Sequence, residues 1–266
     1  MDSETVNRFN LFSGGADMKV IFHKDFLPSY TMDPAAAEGR IDAVLKEIGG
    51  RVTFIDAVAA TEKDIAAVHA RSHIDMVRRD GVYDIAALAA GGAIQCAEIG
   101  LSEPCFALIR PPGHHASASS YWGFCYFNNM AIALEKLRRD GKIKNASVLD
   151  FDLHFGDGTT NILGGQGYVD IYNPTASNRR DYVANVEKWL LSKPVDIIGV
   201  CAGFDNHVND WGGLLSTQDY QDMGRLVREA SVRNKGGCFG ILEGGYNHGV
   251  LGKNVKAFID GMDVPA

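Results

Sequence analysis

No apolar run in the chain approaches the roughly 18 residues that a membrane-spanning helix needs, which argues against a helical membrane protein. Cysteine is sparse: five residues, at positions 96, 105, 125, 201 and 238, with no Cys-x-x-Cys pair among them. Several sit in apolar runs, so they read as buried free thiols in a reducing, cytoplasmic setting rather than as a disulfide framework. Positive charge is short as well, with 26 Lys and Arg against 33 Asp and Glu, a net charge of −7. Phosphate binding needs a basic surface, so nucleic acid is a poor partner, whereas a cationic substrate suits this balance. Residues 1–17 lack both the basic start and the apolar core of a secretory signal. They read as a leader before Met18, and residues 18–266 as one domain.

What is present is an alternation of strand and helix patterns. Met18 to His23 reads as a first strand. Asp33-Pro34 sets up a helix, a cap followed by proline, running through Ile41, Val44, Leu45 and Ile48 to Gly49-Gly50. Arg51 to Ile55 reads as a second strand, and Thr61 opens a helix carrying His69. An alanine-rich helix follows from Tyr83 to Gly100. Further strands fall at 106–109, 146–149, 168–172, 195–201 and 238–242, and further helices at 128–139, 178–191 and 217–233, with a final helix closing the chain. Such alternation predicts a mainly parallel sheet with helices on both faces, a three-layer α/β/α sandwich.

The chemistry concentrates after the apolar run Ala146 to Leu149. Asp150, Asp152, His154 and Asp157 come within eight residues, closed by Gly156 and Gly158. In open α/β sheets the carboxyl ends of strands are where ligands bind. Along an extended chain Asp150, Asp152 and His154 alternate onto one side. Three other strands end in polar groups too: His114-His115, Asp205, and Gly245-Tyr246. Asp152, His154 and Asp205 supply one nitrogen and two carboxylates, a set that suits zinc or another borderline divalent ion with a position left open. The histidine pair fits a surface pair, further metal ligands, or the acid and base that a metal-assisted hydrolysis needs. Asp150 and Asp157 then remain as carboxylates that fix imidazole tautomers, and Tyr246 as a hydroxyl donor to a polarised carbonyl. Cys125, close by in sequence, reads as packing.

Five segments together, Arg110 to Ala116, Gly123 to Asn129, Asp150 to Gly158, Ala202 to Asp205 and Glu243 to Tyr246, resemble the zinc-dependent histone deacetylase and acetylpolyamine amidohydrolase superfamily. The likeness runs in order from about Met18 to the end, and its start and Asn128 to Ala131 look most like the prokaryotic acetylpolyamine amidohydrolase-like branch. It implies the arginase-deacetylase fold, one catalytic zinc ion and a structural potassium ion. Position by position it implies zinc ligands at Asp152, His154 and Asp205. His115 is implied as general base and acid, and His114 as its electrostatic helper. Asp150 and Asp157 stand behind His114 and His115 respectively, and Tyr246 holds the oxyanion. Gly123 and Phe124 line the acyl channel, with Leu214 opposite and Gly245 beside it. The implied reaction is deacetylation of acetylpolyamines or acetyl-lysine side chains.

Departures from the family fall at the rim. Only about ten residues separate His73 from Tyr83, where relatives carry an insertion or a rim aspartate, leaving Asp80 and Asp84 as candidates. A shorter rim predicts a wider mouth, open to an acyl-lysine peptide as well as to a free polyamine. Arg40 reads equally as a surface ion pair or as the family arginine of an internal channel. His69 and His73, four apart, read as structural rather than as a second metal site, and Asp210 to Gly213 as a mouth loop. Competing readings are an arginase-type ureohydrolase, a deacylase of another small acylated amine, and a zinc module that binds acyl groups without turnover. The His-His pair and Gly-Gly-Tyr speak against the first, and His115 with Tyr246 against the last.

Overall fold

A computed structural model describes residues 18–265; the stretch 1–17, assigned above as a leader, lies outside the described residues. Strands β1 (Met18–Phe22), β2 (Val52–Asp56), β3 (Cys105–Ala107), β4 (Ala146–Asp150), β5 (Val169–Tyr172), β6 (Ile197–Ala202) and β7 (Gly237–Leu242) form one 7-stranded sheet. Its order is β2-β1-β3-β7-β6-β4-β5, and every pairing is parallel. β4, β6 and β7 are buried along their whole length, which is why they read as continuous apolar runs. The edge strands β2 and β5 are half-exposed, and each carries an acid, Asp56 and Asp170, that discourages further pairing.

The helices are α1 (Arg40–Ile48), α2 (Glu62–Ile65), α3 (Arg71–Arg79), α4 (Tyr83–Gly100), α5 (Asn129–Arg139), α6 (Asp157–Leu163), α7 (Arg179–Leu190), α8 (Thr217–Asn234) and α9 (His248–Met262). They pack in two groups, α1 and α7 to α9 in one, α2 to α6 in the other, giving the three-layer sandwich the sequence predicts. Among the described residues no helix is long and apolar enough to cross a membrane.

Three local expectations are corrected. Asp33 does cap, accepting from Ala36 N at 2.9 Å, but it starts only a 3₁₀ turn over Pro34–Ala36. The carbonyls of Ala35 and Ala37 accept from the buried guanidinium of Arg110 at 3.2 and 2.9 Å, and the chain turns at Gly39, φ 81°, before α1 begins. His69 is not on a helix: α2 ends at Ile65, and His69 lies in the turn before α3, which carries His73. Their rings nonetheless stack, 4.5 Å apart at 9°. Lastly, α6 was not foreseen; only Ile162 and Leu163 give it an apolar face.

Candidate active site

The sheet order makes β3, β7, β6 and β4 consecutive neighbours, so four polar strand ends meet at one edge. β4 itself stops at Asp150, and residues 151–154 leave it as a bend, correcting the idea of one extended face. Asp152 N donates to Asp150 Oδ1 at 3.3 Å across that bend. Asp150 therefore turns toward the histidine pair, while Asp152 and His154 turn toward Asp205, at the end of β6.

Asp152, His154 and Asp205 each offer a ligand atom within 4.8 Å of the others. His154 Nδ1 lies 3.2 Å from Asp152 Oδ1 and 3.1 Å from Asp205 Oδ2. The remaining oxygens are tied down: Gly244 N donates to Asp152 Oδ2 at 2.8 Å, and Leu153 N to Asp205 Oδ1 at 3.0 Å. Apart from that His154 contact, the buried Asp205 Oδ2 has no hydrogen-bond partner. Hydrogen bonds to Asp152 and Asp205 push the His154 imidazole up to about 10. Burial first, then the Asp152 charge, pushes the Asp205 carboxyl up to about 6. Two buried carboxylates this close favour a cation between them, and the donor set fits zinc. A second close group, His114, Cys125 and Glu243, is also buried. Burial pushes its thiol well up, so Cys125 is held as a neutral, buried thiol.

His114 and His115 follow β3, side by side with ring centroids 4.0 Å apart. Their backing differs. His114 Nδ1 meets Asp150 Oδ2 at 3.1 Å, a carboxylate with no exposed side-chain surface. His115 Nδ1 meets Asp157 Oδ1 at 2.7 Å, a carboxylate whose side chain is 42% exposed. Burial opposes charge on His114, but Asp152 and Asp150 outweigh it and raise its pKa well above the usual range. Burial, and then the neighbouring His114, lower His115 to about 4. One imidazole of the pair thus prefers the charge and the other stays neutral.

Tyr246 follows β7 through Gly244 and Gly245. Its backbone N–H donates to Asp210 Oδ2 at 2.9 Å, and its ring stacks on Trp211 at 4.0 Å, so the Asp210 to Gly213 loop packs against Tyr246. Burial, with Asp152 and Asp205 nearby, keeps the phenol protonated far above its usual range. Phe124 stands edge-on to the Tyr246 ring at 6.0 Å. At Gly123 a Cβ would come 2.4 Å from the His115 ring, so this backbone passes directly against the imidazole. Leu214 sits half-buried in the strap after Asp205, its N–H held by Asn206 O at 3.1 Å. Gly245 takes φ 114° and gives its carbonyl to Arg40 Nε at 2.9 Å.

Arg40 is buried, with Nη2 donating to Glu243 O at 2.5 Å, so it is no surface ion pair. Of the rim candidates, Asp80 accepts a hydrogen bond from Tyr121 Oη. His69 and His73 are structural: His69 Nε2 accepts from Asn128 N at 2.9 Å, and His73 Nε2 contacts Tyr126 O at 2.7 Å. Two residues escaped sequence reasoning. Glu243 Oε2 accepts from Gly113 N at 2.7 Å and His114 N at 3.2 Å, tying the β3 end to the β7 end. Trp122 stacks on His115 and bonds Asp157. Trp122 adjoins a recognisable motif and Glu243 opens one, which was the available signal.

A model of the histone deacetylase domain matches residues 35–176. The probable deacetylase of Methanothermobacter thermautotrophicus is 30% identical, over 85% of this chain and 84% of its own. That of Archaeoglobus fulgidus is 29% identical, over 86% and 81%. The crystal structure of the HDA15 HD domain superposes with a TM-score of 0.80 at 23% identity, covering 95% of this chain and 91% of that one. The fold is that of the arginase-deacetylase class. The chain belongs to the histone deacetylase family of deacetylases and amidohydrolases.

Proposed function

We propose that the protein is a zinc-dependent amidohydrolase that removes acetyl groups from acetylated amines, either acetylpolyamines or acetyl-lysine side chains. The observation that carries this reading is the close set Asp152, His154 and Asp205 beside a histidine pair in which each imidazole has its own carboxylate. Zinc held by those three would polarise the acetyl carbonyl and bring the pKa of a water toward about 7.

The rest falls to the chain's own groups. Asp157 binds His115 at Nδ1, which leaves Nε2 bare and able to accept a proton from the attacking water. His115 then returns that proton to the amine nitrogen as the C–N bond breaks. His114, held charged by Asp152 and Asp150, keeps the adjacent imidazole neutral and adds positive potential where the oxyanion forms. The Tyr246 hydroxyl donates to the same oxyanion. Phe124, Gly123, Leu214 and Gly245 flank the path of the acylated chain, and the short stretch between His73 and Tyr83 leaves the mouth open to peptide and polyamine alike.

Steady-state kinetics on acetylputrescine, acetylspermidine and an acetyl-lysine peptide, before and after chelator treatment, test this. Turnover on at least one, lost with the metal and restored by zinc, is expected. No chelator-sensitive turnover on any of the three would sink the reading.

A further inference from the structure

Trp122 closes a ring of contacts around the imidazole assigned as base. Its indole lies 3.8 Å from the His115 ring at 28°. His114 lies 4.0 Å away as well, so His115 packs against two flat groups. The same indole donates Nε1–H to Asp157 Oδ2 at 2.8 Å, while Asp157 Oδ1 takes His115 Nδ1 at 2.7 Å. One side chain therefore touches both members of the pair, one by its face and the other by its edge.

We propose that Trp122 is the positioning residue for His115, fixing the Asp157 carboxylate and the imidazole plane together. The contrast with the neighbouring pair gives the reason. Asp150, behind His114, has no exposed side-chain surface, so the surrounding protein holds it. Asp157, behind His115, is 42% exposed, and water can compete for its oxygens. A carboxylate free to rotate carries its imidazole partner with it, and misplacing a reacting group by about 1 Å costs up to about 100-fold in rate. The indole N–H occupies the oxygen that water would otherwise take, and the indole face blocks rotation of the ring. Being 52% exposed itself, Trp122 contributes little to the core, so its replacement is expected to leave the fold intact.

The proposal rests on His115 acting as base, and the test separates the two. Trp122→Leu removes ring and donor; Trp122→Phe keeps the ring and removes only the donor. With the zinc-loaded full chain on acetylputrescine and an acetyl-lysine peptide, Trp122→Leu is expected to lower kcat about 10- to 100-fold with KM changed less than about threefold, and Trp122→Phe to recover part of the loss. Long-range proton–nitrogen spectra of the histidine rings give a readout independent of turnover. The His115 Nδ1–H resonance, protected in the wild type, is expected to vanish by solvent exchange in Trp122→Leu. An unchanged resonance overturns the proposal whatever happens to kcat, and so does an effect confined to KM, which would make Trp122 a wall of the mouth. Failure of the wild type to hydrolyse any acetylated amine would defeat the proposed function, while the resonance would still decide the role of Trp122.

Discussion

Gly203→Ala is a one-carbon test of the proposed metal site. Gly203 follows β6 and passes so close to Asp152 that an added Cβ would lie 2.0 Å from its Oδ2, 2.4 Å from its Cγ and 2.6 Å from its Cα. Real Cβ contacts essentially never fall under 3.0 Å, so the carboxylate must retreat by about 1 Å. Rotation of the side chain alone does not relieve the contact, because the Asp152 backbone is in the way as well. Metal–oxygen distances tolerate only about ±0.2 Å, and the required shift is about five times that. The retreat also strains the hydrogen bond from Gly244 N that aims the carboxylate. Zinc affinity is therefore expected to fall at least about 100-fold, or about 2.7 kcal/mol. Overpacking adds about 1–3 kcal/mol of destabilisation, visible as a fall of several degrees in Tm. Zinc per chain after gel filtration, and chelator competition, measure the first effect. Gly165→Ala, where a Cβ meets nothing within 4 Å, is the neutral control. If Gly203→Ala keeps one zinc per chain at near wild-type affinity, Asp152 is not a ligand and the reasoning fails.

All five cysteines are buried, so a thiol reagent should find none in the native protein and five after denaturation; rapid reaction at Cys125 would refute its role as packing. Burial, then the His73 charge, lowers His69 from 6.5 to about 3, so the unfolded chain binds the extra proton first as pH falls. Stability should then be intact above pH 6.5 and decline below it, at up to about 1.4 kcal/mol per pH unit from this group, and His69→Gln should flatten urea-unfolding free energies across that window. An equally steep slope in the variant would place the effect elsewhere. Glu243→Leu leaves the buried Gly113 and His114 N–H groups without their acceptor, costing about 1–3 kcal/mol each and lowering kcat, while Glu243→Gln keeps an acceptor and most of the activity. Equal kcat values for the Leu and Gln variants would show that the clamp does not govern the site.

What could be read from the sequence was whatever burial writes locally. β4, β6 and β7 are covered on both faces and spell themselves out as apolar runs, and α4 is bounded as its alanine-rich pattern predicts. The break before α1 was not legible, because its cause lies far along the chain: Arg110, in the loop after β3, takes the carbonyls of Ala35 and Ala37. Strand spacing showed that four polar ends reach one edge. It did not show that β3, β7, β6 and β4 are neighbours, which is what lets them converge. Simple alternation also misplaced Asp150 relative to Asp152, since the strand stops between them. The pairing of His114 with Asp150 and of His115 with Asp157 came from the family likeness, and the geometry agrees with it. Trp122 and Glu243 act through a ring face and a carboxylate–backbone contact, neither of which leaves a periodic mark.

Two adjacent histidines end with opposite charge preferences, and the cause is the placement of acids around them. With rings 4.0 Å apart, both cannot carry a proton cheaply, so the pair behaves as one coupled unit. Asp152 Oδ1 lies 3.8 Å from His114 Nε2, and Asp150 meets its other nitrogen, so the charge settles on His114. His115 is backed by the half-exposed Asp157, whose field water weakens, and burial and the neighbouring His114 outweigh Asp157 and Asp152, so it remains neutral. Asp152 thus serves two neighbours, the histidine pair on one side and the cluster with His154 and Asp205 on the other. A cation taken up by that cluster draws on the same negative charge that holds the His114 proton. If the cluster holds a metal as proposed, its loading and the proton balance of the pair are expected to be linked through Asp152.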